Sequence, residues 1–544
     1  MKKLMLFLLL THSNYFAQFG SQDSGGILIK EQSCYDVTLY DLSVNIDPSE
    51  KAISGKLIMK AVATDELSNF VLNLDTTMSI YSVEFIEPYS TTQLNFLHSD
   101  GLINISIPKK IEKGNIFSIS IQYGGIPRIA KRPPWDDGFV WAKTNNGIDW
   151  ITLTCQGGGA DIWFPCKDHP SDEPDSVSLS FTFPNNLMCI ASGRLISESI
   201  NNDNTQTSNW FVSTPINNYN IMFYLGPYKS IEYDYTSIAG EKIPFTVWVL
   251  PESFEKAKLH SRQFLTHMKV NEELCGPYPF RADKYAVVEA PHLGMEHQTA
   301  TAYGFGWKDD KDFPIDWLHH HEFSHEWWGN LVTAKDWSDF WIHEGIGLYM
   351  QPLYLEKVYG RDHYLGYLKK YKKIQNIKPV APRGQITASE AYQPDIYNKG
   401  AWIVHTLRNY IGDETFFKLL RKWAYPSEEL EKTTTGNQCR LVTTDEFLNI
   451  AEQVSGKKLD WFWEVYLRNT KLPKLIVTRD QNVAELKWET EKDIPFFLPV
   501  PIMIADQISS IDMSKGKNSI VIPDGYQLVI DPEESILMEI EFTK

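Results

Sequence analysis

Cysteines, positive charges and long apolar runs are all scarce in this chain of 544 residues. Its six cysteines are scattered and include no Cys-x-x-Cys pair, which excludes a disulfide scaffold. One or two disulfides and free buried thiols both fit this count. The formal net charge of −17, from 52 basic and 69 acidic residues, argues against a nucleic-acid-binding surface. Beyond the N-terminus, no stretch is long and apolar enough to cross a bilayer core of about 30 Å.

The composition that is present describes a folded globular protein. Hydrophobic residues make up 43% and aromatic residues 13% of the chain. We find no low-complexity segment and no internal repeat in the sequence. A length of 544 residues exceeds what one hydrophobic core organises, so we expect three or four domains.

The first residues, MKKLMLFLLLTHSNYFAQ, predict a signal peptide over residues 1–17. Lys2 and Lys3 form a basic start, and residues 4–10 form an apolar segment that is too short to span a bilayer. Ala17 is a suitable residue before a cleavage site. We therefore expect an exported protein, periplasmic or secreted, with no stable membrane anchor.

A pair of histidines four residues apart is the strongest chemical signal in the sequence. At about 100° per residue, His321 and His325 return to one face of an α-helix, where both imidazoles can bind one Zn²⁺. Glu322 lies between them, placed to reach a water molecule beside the ion. Glu344 follows after 18 intervening residues and would come from a second helix packed against the first. Two histidines and one glutamate leave a coordination position open, which is typical of catalytic zinc.

The alternative for this motif is a solvated helix face that carries its histidines by chance. His319 and His320 lie beside the motif without a ligand spacing, which predicts surface positions or positions behind the metal ligands. Asp336 and Asp339 are candidate partners for the ligand imidazoles.

The segment HEFSHEWWGN, followed by WIHEG, resembles the aminopeptidase N and leukotriene hydrolase family of zinc peptidases. Matches outside the zinc motif itself include Gly329, Asn330, Trp341 and Gly345. His343 departs from the pattern, because the family has asparagine there. The resemblance implies one Zn²⁺ per chain, with Glu322 as the catalytic base and three metal ligands, His321, His325 and Glu344.

A second element also resembles this family. Gly294, Met295 and Glu296 match its exopeptidase motif, with His297 in place of the family's asparagine. The motif follows a predicted strand at residues 284–289. The resemblance implies that Glu296 pairs with the cationic α-amino group of a substrate, and that Gly294 and Met295 line the substrate site.

Three further residues take their expected roles from the resemblance. Tyr397 lies in a Y-x-K-G-A element, in which the family's tyrosine is catalytic, and Tyr392 matches a nearby family tyrosine. Gln156, within TCQGGGADIWFPCKDHP, falls where the family has a glutamine or glutamate that enters the substrate cleft. The alternatives are ordinary helix-start aromatics for the two tyrosines and a glycine-rich loop without substrate contact for Gln156.

Strand-like alternation dominates the first half of the chain, helical spacing follows, and alternation returns at the end. With the resemblance, we expect a multidomain α+β fold. Its parts are an N-terminal all-β saddle domain at residues 30–228, a thermolysin-like α/β zinc catalytic domain at 229–471 and a small C-terminal β-sandwich at 472–544.

These motifs together predict a zinc-dependent aminopeptidase that hydrolyses the N-terminal residue from peptides with a free N-terminus by metal-activated water. Two alternatives use the same site. A zinc endopeptidase would not need Glu296, and a lipid-epoxide hydrolase is suggested by family analogy alone. A non-enzymatic scaffold around a retired site is disfavoured, because the ligands, the base and the tyrosine are all present.

Overall fold

The computed structural model describes residues 23–543 and divides them into a β domain, a mixed α/β domain and a small β-sandwich. This confirms the predicted multidomain α+β fold. The predicted signal peptide, residues 1–17, lies outside the described residues.

The N-terminal domain is built from strands whose alternate residues face its core. In the strand Ser176–Pro184, Val177, Leu179 and Phe181 are buried and the residues between them are half-buried, which is the period of two of a β-strand. One short helix, α1 (Lys30–Ser33), lies where the sequence predicts strand. The strands are β1 (Tyr35–Asp47), β2 (Ala52–Ala63), β3 (Leu67–Asn73), β4 (Met78–Glu87), β5 (Ser90–Gln93), β6 (Asn95–Ser99), β7 (Leu102–Ile111), β8 (Ile116–Gly125), β9 (Gly138–Lys143), β10 (Asp149–Thr154), β11 (Ser176–Pro184), β12 (Met188–Ala191), β13 (Arg194–Ile200), β14 (Thr205–Val212) and β15 (Phe223–Gly226).

Three sheets organise these strands over the described part of the domain. The largest has the order β13-β14-β11-β1-β2-β8-β4-β5, and the others have the orders β12-β15-β10-β9 and β3-β7-β6. A buried aromatic group, including Trp163, Phe181 and Phe223, fills the space between the sheets. The loop after β10 carries Gln156 towards the next domain.

The central domain places its helices around a mixed sheet. The strands are β16 (Lys229–Thr236), β17 (Lys242–Val249), β18 (Tyr285–Glu289), β19 (Gly294–Met295), β20 (Thr301–Tyr303), β21 (Val332–Ala334) and β22 (Arg440–Val442). The helices are α2 (Phe254–His260), α3 (Phe264–Cys275), α4 (Trp317–Ser324), α5 (Trp341–Tyr359), α6 (Arg361–Leu368), α7 (Ala388–Ala391), α8 (Pro394–Ile411), α9 (Asp413–Ala424), α10 (Glu428–Lys432), α11 (Thr444–Ser455) and α12 (Asp460–Tyr466). The sheet order β16-β17-β18-β20-β19 puts β19 at an edge, antiparallel to β20.

Asp316 fixes the start of α4 on this sheet. Its Oδ1 accepts the His319 N–H at 3.0 Å, and its Oδ2 accepts the Tyr303 hydroxyl at 2.6 Å. The first contact caps the helix, and loss of such a cap typically costs about 1 kcal/mol. The second anchors the capped end to β20, so the face of α4 that carries His321 is held against the sheet edge.

Helices α5 and α8 cross in close contact because each has a glycine at the crossing point. A Cβ atom on Gly345 or on Gly400 would lie 2.9 Å from the Cα of the other glycine. Any larger residue at either position would push the helices apart. The crossing places Glu344, which precedes Gly345 on α5, so that it faces Tyr397 on α8.

The C-terminal domain is a small sandwich, as predicted. Within residues 472–543 it has one sheet of four strands and one of three. Tyr466 of α12 donates to the Leu537 carbonyl at 2.7 Å, and Thr406 of α8 accepts the Leu537 N–H at 3.0 Å. The sandwich is therefore held against helices α8 and α12 of the central domain. The strands are β23 (Lys474–Asp480), β24 (Val483–Glu489), β25 (Val500–Ile504), β26 (Gln507–Ile511), β27 (Lys517–Val521), β28 (Leu528–Ile530) and β29 (Glu539–Thr543).

Two further features of the described residues concern the cysteines and the length of the apolar helices. All six cysteines fall within the described residues and are unpaired thiols, five of them buried, which decides between the two possibilities left open above. From residue 23 to residue 543, no helix is both long and apolar enough to cross a membrane.

A buried histidine at the junction of α8 and the sandwich makes stability sensitive to acid. His405 accepts a hydrogen bond from Tyr364, and its Nε2 lies 3.1 Å from the Glu534 carbonyl oxygen. Burial lowers the pKa of His405 to about 3. The unfolded chain takes up this proton near pH 6.5, well before the folded chain does, so acid favours unfolding throughout that interval.

We expect the His405→Gln variant to lose less stability in acid than the wild type does. As the pH falls from 6.5 to 4.5, the free energy of unfolding of the wild type should decrease faster than that of the variant, by up to about 1.4 kcal/mol per pH unit. Denaturant unfolding at each pH measures it, with His363→Gln on the half-buried face of α6 as the control. Equal pH slopes for His405→Gln and wild type would show that His405 is not the sensitive group.

Candidate active site

Three possible metal ligands meet where α4 ends against the first turn of α5. The Nε2 atoms of His321 and His325 are 3.3 Å apart, and Glu344 Oε2 lies 3.5 Å and 3.6 Å from them. Within the described residues, these three form a group whose ligand atoms could hold one metal ion. They are the residues that the spacing of the sequence motif predicts as ligands.

The donor set fits zinc. Glu344 Oε2 is buried and has no hydrogen-bond partner among the described residues, a costly state for a carboxylate oxygen unless a cation pairs with it. A tetrahedral ion with bonds of about 2.0–2.2 Å separates its ligand atoms by about 3.3–3.6 Å, which is the spacing found here. A second possible group, Glu296, Glu322 and His325, would leave His321 without a role.

A backbone carbonyl orients the imidazole of His325. Its Nδ1 lies 2.8 Å from the Trp328 carbonyl oxygen, so Nδ1 donates and the Nε2 lone pair is left for an ion. The sequence-based choice of Asp336 and Asp339 as imidazole partners is wrong. Their carboxylates instead accept backbone N–H groups of a helical turn at 337–339 and of α11.

His319 and His320, the two histidines before the motif, are fully buried. The prediction that they lie on the surface is therefore wrong. His319 stacks on Phe264 with ring centroids 3.5 Å apart, and its Nδ1 lies 2.9 Å from His267 Nδ1. Burial lowers the pKa of His320 to about 3, so its ring is neutral. Both side chains pack behind the ligand face of α4, the second predicted position.

His343, at the position where the resemblance leads one to expect asparagine, has a structural contact. Its Nε2 accepts the Ala334 N–H at 2.8 Å, which joins the first turn of α5 to β21. Its ring lies 4.5 Å from that of Phe340. The departure therefore leaves the ligand set intact, because the ring points to a backbone donor.

Glu322 lies beside the triad and next to the edge strand β19. Gly294 approaches so closely that a Cβ atom there would lie 2.6 Å from Glu322 Oε1, so a larger residue would displace the Glu322 carboxylate. Burial, and then the negative charges of Glu296 and Glu344, raise the pKa of Glu322 well above its usual range. The carboxyl is thus in a site where its proton affinity is high.

Neutral donors hold the carboxylate of Glu296, which follows Met295 at the end of β19. The Tyr219 hydroxyl donates to Oε1 at 3.1 Å, and the Gln156 amide donates to the same oxygen. Tyr392 in turn donates to the Gln156 carbonyl. Burial is the main cause that raises the pKa of Glu296. This network places Gln156 in the cleft, which agrees with the interpretation that it enters the substrate cleft and not with that of a loop without substrate contact.

Tyr397 reaches the triad from the facing helix α8. Its ring centroid is 6.4 Å from that of His321. Burial, followed by the charge of Glu344, raises the pKa of Tyr397 well above its ordinary value. The phenol therefore keeps its proton and can donate a hydrogen bond at neutral pH.

One cavity of about 350 Å³ joins all of these groups. Its walls come from the N-terminal domain, from the edge of the catalytic sheet and from three helices. The lining residues with a role so far are Gln156, Gly294, Met295, Glu296, His321, Glu322, Glu344, Tyr392 and Tyr397. Every predicted site residue except His325, which lies behind His321, therefore lines one space.

Two sequence-family matches fall on the two domains that form this cavity. Residues 37–219 match the N-terminal domain of the M1 peptidases, and residues 314–466 match the peptidase family M1 domain. The chain belongs to peptidase family M1. The resemblance inferred from the motifs is thereby confirmed.

Relatives of this M1 chain differ in length. It is 23% identical to mouse endoplasmic reticulum aminopeptidase 1 over 298 residues. The matched region is 50% of this chain but only 31% of the mouse protein. It is 23% identical over 508 residues to Xenopus laevis leukotriene A-4 hydrolase, covering 85% of this chain and 77% of that one. The crystal structure of an M1 zinc metallopeptidase from Deinococcus radiodurans has the same fold, with a TM-score of 0.65 at 22% identity over 81% of this chain and 94% of the other.

Sequence reasoning missed one residue that contacts the expected substrate site of this M1 chain. Tyr219 lies in a helical turn at 218–220 between β14 and β15, far from any motif. Its hydroxyl contacts Glu296 only because the N-terminal and catalytic domains are packed together. No local spacing signals such a contact.

Proposed function

We propose that this chain is a zinc aminopeptidase, which removes the N-terminal residue from peptides with a free amino group. The position of Glu296 is the observation that carries this proposal. Its buried carboxylate shares a cavity with two of the metal ligands, His321 and Glu344, and its hydrogen-bond donors, Tyr219 and Gln156, are neutral. A substrate ammonium would supply the missing positive charge.

The remaining residues fit the hydrolysis of an amide bond. Zinc held by His321, His325 and Glu344 would supply Lewis acidity to a water molecule and to the scissile carbonyl. Glu322 takes the proton of the attacking water and returns it to the leaving amine, as general base and then general acid. A divalent cation in the triad also offsets the carboxylate charges that raise the pKa of Glu322, which lets this group accept a proton.

Glu296 sets the position at which the substrate must end. A substrate whose α-amino group pairs with this carboxylate begins at that point, whereas an internal peptide segment would leave the carboxylate buried and uncompensated. This argument favours an exopeptidase over a zinc endopeptidase. A lipid epoxide has no cation for Glu296, so the same contact disfavours that substrate class.

The proposal is tested with matched amide substrates that differ only at the amino end. We expect hydrolysis of a leucyl amide with a free amino group to exceed that of the N-acetylated amide by about 10³-fold or more in kcat/KM. A chelator should abolish turnover and added zinc should restore it. Equal hydrolysis of free and acetylated substrates would contradict the exopeptidase proposal.

Tyr397 is expected to stabilise the negative charge that develops on the scissile carbonyl oxygen. The Tyr397→Phe variant should lower kcat by about 10²–10³-fold, the usual effect of losing one such donor, with unchanged metal content. The control is Tyr392→Phe, which loses its hydrogen bond to Gln156 and should raise KM more than it lowers kcat. Steady-state kinetics with metal analysis separates the two, and an unchanged kcat in Tyr397→Phe would exclude this role.

We propose, from the sequence of residues 1–17, that the protein is exported to the periplasm or beyond the cell. Expression of the full-length chain in a bacterium, followed by fractionation and mass measurement of the intact protein, tests this. Loss of about 17 residues and recovery outside the cytoplasm would support export. Recovery of the uncleaved chain in the cytoplasm would contradict it.

A further inference from the structure

The cavity has one more carboxylate than the proposed reaction uses. Four acidic residues line it, and none of the described lining residues is lysine or arginine. Glu344 is assigned to the metal, Glu322 to proton transfer and Glu296 to the substrate amine. Asp137 has no part in these steps.

Asp137 lines the cavity beside the glycine-rich loop. Its side chain is 6% exposed, and Oδ2 accepts the Gly158 N–H at 2.6 Å. The other oxygen, Oδ1, accepts no hydrogen bond from the described part of the chain. Burial raises the pKa of Asp137 to about 7. A cation bound beside it would favour the ionised carboxylate.

The glycine-rich loop connects the surroundings of Asp137 to those of the amine site, and both acids line the same cavity. Gln156, which contacts Glu296, is two residues from Gly158, which contacts Asp137. The Cα atoms of these two loop residues are at most about 7 Å apart. Lysine and arginine carry their charge at the end of a long flexible stem, which is the kind of side chain that can extend from the amine site along this loop to Asp137.

An aromatic surface lies next to this carboxylate. Trp135 lines the same cavity and is 51% exposed, so one of its faces is available at the entrance. Indole faces attract the guanidinium of arginine and the ammonium of lysine. The charged group of a lysine or arginine side chain would thus contact both the Asp137 carboxylate and the Trp135 ring, while its apolar stem packs against the hydrophobic residues of the cavity.

We propose that Asp137 selects substrates whose N-terminal residue is basic, arginine or lysine. The inference rests on the proposed aminopeptidase function for the position of the α-amino group. The charge of the first side chain then decides the affinity, and Asp137 is the specificity-determining residue.

Pairs of aminoacyl amides that differ only in side-chain charge test this proposal. Citrulline replaces arginine and norleucine replaces lysine with similar shape and no charge. We expect the wild-type kcat/KM for the arginyl amide to exceed that for the citrullinyl amide by about 10–100-fold. In Asp137→Asn this ratio should fall towards one, because asparagine still accepts the Gly158 N–H but carries no charge.

The control variant is Asp136→Asn, which removes the neighbouring charge outside the cavity lining. Asp136 accepts the backbone N–H groups of Lys131 and Arg132. It should leave the arginine-to-citrulline ratio as in the wild type. A wild-type ratio near one, or an equal loss on all substrates in Asp137→Asn, would overturn the proposal.

A binding measurement keeps the inference separate from the proposed function. Calorimetry with argininamide and citrullinamide on metal-loaded Glu322→Gln protein, with and without Asp137→Asn, requires no turnover. Tighter binding of argininamide that disappears with Asp137→Asn would support the inference even if no amide were hydrolysed. Equal binding of the two ligands would overturn it whatever the activity.

Discussion

Glu322→Gln is expected to keep its metal and to lose turnover. Glu322 lies beside the ligand triad without belonging to it, and glutamine has the same shape but cannot accept the proton of the attacking water. General acid–base catalysis by one positioned group contributes about 10²–10⁴-fold, so we expect kcat to fall by that factor. Kinetics on a leucyl amide, together with metal content per chain, measures both parts.

The control for this variant is Glu326→Gln, four residues further along the chain. Glu326 accepts the Thr299 N–H at 3.0 Å and the Tyr278 hydroxyl at 2.8 Å, away from the cavity. It should keep kcat within a few fold of the wild type. A Glu322→Gln protein with near-normal kcat would remove Glu322 from proton transfer, and one without metal would place it among the ligands.

Glu296→Gln is expected to lose the preference for a free amino group. Removal of one partner from a buried charge pair typically costs about 3–5 kcal/mol, or about 10²–10⁴-fold in kcat/KM. The loss should fall on substrates with a free N-terminus and appear mainly in KM. N-acetylated substrates have no ammonium, so their slow hydrolysis should change little.

Glu289→Gln at the end of β18 provides the comparison for this second variant. Its carboxylate accepts the Leu250 N–H and the Ser253 hydroxyl and does not line the cavity. Free-amine selectivity should persist there. If Glu296→Gln kept the wild-type ratio of free to acetylated hydrolysis, another group would have to recognise the amino end.

Local spacing is what made most of this site predictable from sequence. The helical period alone places His321 and His325 on one face, and the structure has their Nε2 atoms 3.3 Å apart. Strand alternation similarly predicts the β domain and the sandwich, because a period of two separates buried from exposed residues. Both signals act within a few residues of one another.

Helical and strand periodicity cannot predict contacts between domains. Tyr219 reaches Glu296 across 77 residues, and Gln156 reaches Tyr392 across 236. The failed assignment of Asp336 and Asp339 has the same origin. A carboxylate near a ligand in sequence says nothing of its direction, and here backbone N–H groups of nearby turns were the closer partners.

Anomalous diffraction at the zinc absorption edge, on crystals grown with zinc, tests the central claim most directly. We expect one strong anomalous peak per chain, within bonding distance of His321 Nε2, His325 Nε2 and a Glu344 carboxylate oxygen, with Glu296 and Glu322 unbound beside it. A peak bound by other residues, or no peak between α4 and α5, would contradict the account.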